Sequence, residues 1–118
     1  MKQILIFLFS IFYFPAFAQM GINTEAPKAT LDIKAKKEIL SIDGLIPPRL
    51  TLEELTAKGD HLYGPEQDGA IIYITNISAG NSQGQREFIQ SKGLYLYDAT
   101  FIGPNEGRWM CIYCIGAV

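Results

Sequence analysis

The chain has 118 residues, 48% of them hydrophobic and 19% charged, with a net charge of −2 at pH 7. That length allows one domain, and the apolar content excludes a disordered tail. Ten Lys and Arg against twelve Asp and Glu, with no basic block, argue against a nucleic-acid surface, and a single histidine with two cysteines leaves too few ligands for a metal site.

Residues 1–18 have the organisation of a signal peptide. Met1-Lys2 is a short positive start, and residues 4–14 are apolar except for Ser10. Pro15 breaks the run, and Ala16-Phe17-Ala18 is the small-x-small pattern of a cleavage site, which predicts a cut between Ala18 and Gln19. The run is too short to cross about 30 Å of hydrocarbon as a helix, and no stop-transfer segment follows. The expected protein is therefore exported, to the periplasm, the outer surface or the medium, with no membrane span after cleavage. Residues 19–118 are read as one β-rich module. A chain of that size folds alone with little margin, so oligomerisation would stabilise it.

Residues 19–28, with Gly21, Asn23 and Pro27, predict an extended or turning start. Residues 29–34 alternate apolar and polar, which sets Leu31 and Ile33 on one face of a strand. Lys34, Lys36, Lys37 and Glu38 form a solvated stretch, and Asp43-Gly44 marks a turn. Pro47-Pro48 forbids helix through residues 44–50. Thr51-Leu52-Glu53-Glu54 then matches the capping box, and Gly59 is a natural stop. A helix of about two turns is expected over residues 52–58.

Residues 60–68 read as a polar loop. Residues 69–75 are the strongest strand, apolar on both faces, so both faces need cover. Residues 76–85 are rich in Gly, Ser and Asn and are the prime candidate for mobility. Phe88-Ile89 is a candidate strand start. Residues 93–98 are a strand with Leu94 and Leu96 on one face and Tyr95 and Tyr97 on the other. Residues 99–107 are expected as a loop and residues 108–113 as the last strand. The predicted fold class is mainly β with one short α-helix.

The ordered motifs resemble a known group. Gly21-Ile22-Asn23-Thr24, Pro27 and Ala29-Thr30-Leu31-Asp32-Ile33 are similar to the opening of many secreted proteins of Bacteroidetes-type bacteria and to segments of phage tail-fibre proteins. Residues 44–51, with Pro48-Arg49, resemble the element that follows in those proteins. Residues 68–73, then Gly93-Leu94-Tyr95-Leu96-Tyr97-Asp98 and Trp109, are similar to their later strands. The resemblance implies a small β-rich module of fibre, stalk or surface proteins, often trimeric about a threefold axis, without catalytic residues. The chain departs from the pattern between Asp98 and Trp109, where relatives make a tight turn and residues 99–108 intervene here.

Few residues suggest chemistry. Cys111-Ile112-Tyr113-Cys114 is a C-x-x-C, but too little chain follows it for the helix that activates a redox pair. Export permits a disulfide. In a fully extended strand the two Cα atoms would stand roughly 10 Å apart, beyond the reach of about 7 Å that a bridge allows. Three alternatives stay open: a turn after Cys111 with an intrachain bridge, pairing between chains, or free thiols. His61 lacks any nucleophile signature nearby, and adjacent Glu53 and Glu54 do not face each other on a helix. Tyr73, Tyr95, Tyr97 and Trp109 could form a core, a subunit interface or a stacking face for a glycan or small ligand. The Arg49 guanidinium could hold a carboxylate across an interface. The sequence thus predicts a non-enzymatic, exported assembly or adhesion module that forms a homo-oligomer, a trimer first, with a surface protein or glycan as a further partner and with no cofactor, metal or nucleic acid. The alternative is a monomeric binding protein that uses the tyrosine face.

Overall fold

The computed structural model describes residues 2–10 and 19–115. The expected cleavage site, Ala16 to Ala18, lies outside the described residues. Helix α1 (Lys2–Ser10) covers part of the expected signal segment and buries no side chain. Among the described residues no helix is long and apolar enough to cross a membrane. The chain divides into two compact units, Met1–Gly44 and Leu45–Val118. Each of the two sheets takes its strands from a single unit.

In the first unit, β1 (Met20–Ile22) pairs in parallel with β2 (Leu31–Ile33). The second strand was legible from its alternation. The first reads only as an extended or turning segment, because Gly21, Asn23 and Pro27 around it are turn residues and no apolar–polar alternation flanks it. Asp43 organises the stretch that follows. Its carboxylate accepts the backbone N–H of Lys36 at 2.9 Å and of Lys37 at 3.2 Å. The Lys36 bond in particular holds the Asp43 carboxyl below its ordinary value of 3.8. Ile39, Leu40 and Ile42 are fully or almost fully exposed.

The second unit is a four-stranded sheet in the order β3-β4-β5-β6. Strand β3 (Arg49–Leu50) runs parallel to β4 (Ile71–Ile74), while β5 (Lys92–Gly103) is antiparallel to β4 and to β6 (Glu106–Ile115). Helix α2 (Leu52–Ala57) starts at the predicted box. Thr51 Oγ1 accepts the Glu54 N–H at 3.1 Å, and the Glu54 carboxylate accepts the Thr51 N–H at 2.8 Å. Its apolar edge, Leu52 and Leu55, is buried against one face of the sheet. Together with Ile72, Ile74, Ile89, Tyr95, Tyr97, Ala99 and Trp109 it makes the core.

Three sequence expectations fail here for local reasons. Residues 99–107 are not a free loop. Strand β5 runs on to Gly103, Pro104-Asn105 makes the turn, and β6 begins at Glu106. Pro104 followed by Asn105 at φ 65° is the residue pattern of a type II turn. Between them, residues 99–102 bulge opposite Gly107, so the strand pattern is broken in the sequence though the hairpin is not.

Residues 76–85 are tied down rather than loose. The Asn76 carbonyl accepts the Leu52 N–H at 2.9 Å, and the Asn81 N–H donates to Thr56 Oγ1 at 3.1 Å. Gly80, at φ 88°, lies so close to helix α2 that a Cβ would meet the Leu52 carbonyl at 2.7 Å. The glycine that suggested freedom is there for close approach. Phe88-Ile89 forms no strand; it follows a 3-10 turn (Gly84–Arg86), and Ile89 drops into the core.

Candidate functional site

The register of β4, β5 and β6 sorts their side chains onto two faces. Residues directly opposite one another share a face. The inner rows are Ile72–Tyr95–Cys111, Ile74–Gly93–Cys114 and Tyr97–Trp109. The outer rows are Ile71–Leu96–Met110 and Tyr73–Leu94–Tyr113, with Arg49 of β3 extending the second beside Tyr73. Asp98 opposite Arg108 follows as a polar row.

The inner face is packed from β4 to β6 around its aromatic rings, with Cys111 exposed at its edge. Tyr95, Tyr97 and Trp109 are at most 1% exposed. Trp109 meets Tyr63 edge-on at 4.9 Å between ring centres and Tyr97 at 5.1 Å. The polar ends also find partners indoors: Tyr95 donates its O–H to the Ser91 carbonyl at 2.7 Å, and Tyr97 donates to the Tyr63 carbonyl at 3.0 Å. Burial lifts the Tyr97 phenol above its ordinary value of 10.0, against an opposing hydrogen bond from Gln85. Tyr95, Tyr97 and Trp109 therefore cannot serve as a glycan platform or a subunit surface. They are the core, because their rings lie under α2 and the loops and their hydroxyls are satisfied there.

The outer face carries Tyr73 and Arg49, two of the expected interface residues, beside apolar residues that the sequence does not single out. None of Ile71, Tyr73, Leu94, Leu96, Met110 and Tyr113 belongs to the core, and Ile71 and Tyr113 are 44% and 67% exposed. The signal was present in the leucine half of the 93–98 alternation. The aromatic half was the more conspicuous candidate, and single-chain packing absorbs it. Arg49 is exposed and forms no ion pair among the described residues.

Cys111 and Cys114 are brought together by a second bulge. Residues three apart in a regular strand point to opposite faces. Here Cys111 stands opposite Tyr95 and Tyr113 opposite Leu94, so Ile112 is an extra residue. The bulge returns Cys114 to the face of Cys111 and draws their Cα atoms to 6.0 Å, with the sulfurs joined. No turn at Cys111 is needed, and β6 continues to Ile115. Opposite Cys114, Gly93 leaves room: a Cβ there would meet the Cys114 Cα at 2.7 Å.

A concavity of about 350 Å³ in the first unit is lined by Asn23, Lys36, Glu38 and Asp43 among others. Its Asp43 carboxylate is already engaged by two backbone amides. Among the described residues no group of His, Cys, Asp and Glu is placed to hold a metal.

No curated protein and no solved structure matches the chain at a significant level. Residues 21–113, however, match a family described as the phage tail like trimerisation region. The match takes in strands of both sheets, α2 and every residue of the outer rows. The match covers most of this small, mainly β chain, and the chain belongs to the phage tail like trimerisation family.

Proposed function

We propose that the protein is an exported, non-enzymatic structural element that holds three copies of itself together in an assembly or adhesion structure outside the cytoplasm. Family membership across residues 21–113 carries the reading. The likeness of residues 1–18 to a signal peptide supports export, as does the similarity of the motif order to secreted surface proteins of Bacteroidetes-type bacteria. A surface protein is the kind of further partner such an element would hold. The monomeric binding reading loses most of its support, since Tyr95, Tyr97 and Trp109 of its face are buried in the core.

The test is the molar mass in solution, by light scattering, of the protein recovered after expression from its full gene. A mass of three chains, unchanged by reductant, is expected; a single-chain mass across the accessible concentration range overturns the reading. The intact mass of the same sample reports export, which is expected to leave Gln19 as the first residue. Retention of residues 1–18 in exported protein would remove the cleavage assignment.

A further inference from the structure

We propose that the outer face of the four-stranded sheet is the surface through which copies of this chain meet. The inference rests on the trimerising reading and adds the surface to it. Six apolar side chains, Ile71, Leu96 and Met110 in one row and Tyr73, Leu94 and Tyr113 in the next, lie across three hydrogen-bonded strands. At about 4.8 Å between strands, each row spans roughly 10 Å. The patch is thus continuous, with Ile71 and Tyr113 exposed and the other four half-buried. It is bordered by Asp98 and Arg108 at one end and by Arg49 at the β3 edge. An apolar centre with a charged rim is the layout of a protein–protein contact.

The choice of occupant follows from the fold. The core side chains all belong to the inner rows and to the segments packed on them, and none of the six outer residues joins the core. A second copy is the partner that the family description names, and the matched residues include all six. About a threefold axis each contact joins different patches, and the two halves of one converging face can meet the two neighbours. Each copy would then bring an Arg49 to the border of the contact.

The experiment compares the native protein with Leu96→Glu and Tyr113→Glu by light scattering over a dilution series, with Trp109 fluorescence as the check on the fold. Trp109 is fully buried on the opposite face, so its emission reports the core and not the contact. A charge in the centre of the face should raise the concentration of half-dissociation roughly a hundredfold or more. Monomeric Leu96→Glu protein with native Trp109 emission supports the proposal. If Leu96→Glu does not fold, Tyr113→Glu decides, because that side chain is 67% exposed in one chain. Folded variants that remain trimeric as tightly as the native protein overturn the surface and leave the trimer intact. A monomeric native protein overturns the trimer reading itself, and the surface falls with it.

Discussion

The Gln85 side-chain amide donates to the Tyr97 hydroxyl at 2.9 Å and, from the same nitrogen, to the Tyr63 carbonyl at 2.9 Å. Tyr97 closes the triangle by donating its own proton to that carbonyl. Three segments distant in sequence are thereby joined in the interior: the residues before the 3-10 turn at Pro65–Gln67, the turn at Gly84–Arg86, and β5. Tyr97→Phe keeps the ring and removes this junction. A loss of about 1–2 kcal/mol is expected in urea denaturation at neutral pH.

The same hydroxyl gives a pH prediction. Burial raises the folded-state pKa of Tyr97 above its ordinary value of 10.0, so the unfolded chain loses this proton first. Its contribution is complete below pH 10 and declines as the pH climbs through the folded pKa. Urea midpoints at pH 8 and pH 11 should therefore differ less in Tyr97→Phe than in the native protein. Equal differences would show that Tyr97 does not carry its part of the alkaline loss.

Arg86 is a nearly buried cation, 5% exposed. Its guanidinium donates to Asp60 Oδ1 at 2.9 Å, to Asn81 Oδ1 at 2.9 Å and to the Asn81 carbonyl at 3.2 Å. It thereby fastens residues 76–85 to the loop after α2. Arg86→Ala should cost about 2–4 kcal/mol in chemical denaturation. Asp60 has a half-open side chain, 42% exposed, and Asp60→Asn should cost only about 1 kcal/mol. Hydrogen exchange at residues 76–85 should accelerate in Arg86→Ala before it does in the strands.

Thr51 caps α2, whose buried Leu52 and Leu55 are part of the core. Thr51→Ala removes the acceptor for the Glu54 N–H and should lower stability by about 1 kcal/mol, whereas Thr51→Ser should be close to native. An unchanged denaturation midpoint in Thr51→Ala would show that the box adds nothing to this short helix.

The bulge at Ile112 puts both cysteines on one face of β6 within a single chain. Alkylation of the denatured protein should therefore add no mass without reductant and two adducts with it. A non-reducing gel should show no covalent oligomer. The bridge closes a very short loop, so the chain-entropy account allows it no more than about 2 kcal/mol. Cys111→Ser/Cys114→Ser protein should accordingly fold and self-associate.

What could be read in the sequence is what depends on neighbours in the chain. Thr51 and Glu54 specify the helix start from their own spacing, and residues 93–98 specify a strand from theirs. Which face of that strand lies inside depends on groups far away. Ser91, Tyr63 and Gln85 satisfy the tyrosine hydroxyls, and nothing in the alternation announces them. Leucine and tyrosine are both large enough to fill a core, so their order along the strand leaves the choice open. The two bulges escape for a related reason: an odd number of extra residues, three at 99–102 and one at Ile112, resets the period of two, and the pattern then reads as loop across residues 99–107 or as a bridge-forbidding strand at Cys111. The nine-tenths-buried Arg86 escapes because a charged residue in a polar run reads as surface.

The β5–β6 hairpin carries both faces at once. Tyr97 and Trp109 point one way from it, and Leu96 and Met110 point the other. Its strands are adjacent in sequence and joined by two turn residues, so it is the part of the sheet that the chain can form with the smallest search. The side chains that will meet other copies are thus arrayed as soon as this ribbon forms, before α2 and the Arg86 loop have closed over its other side. Encounter between newly made chains and completion of each chain's own interior would compete for the same ribbon, and protein concentration during synthesis becomes a variable of folding as well as of assembly.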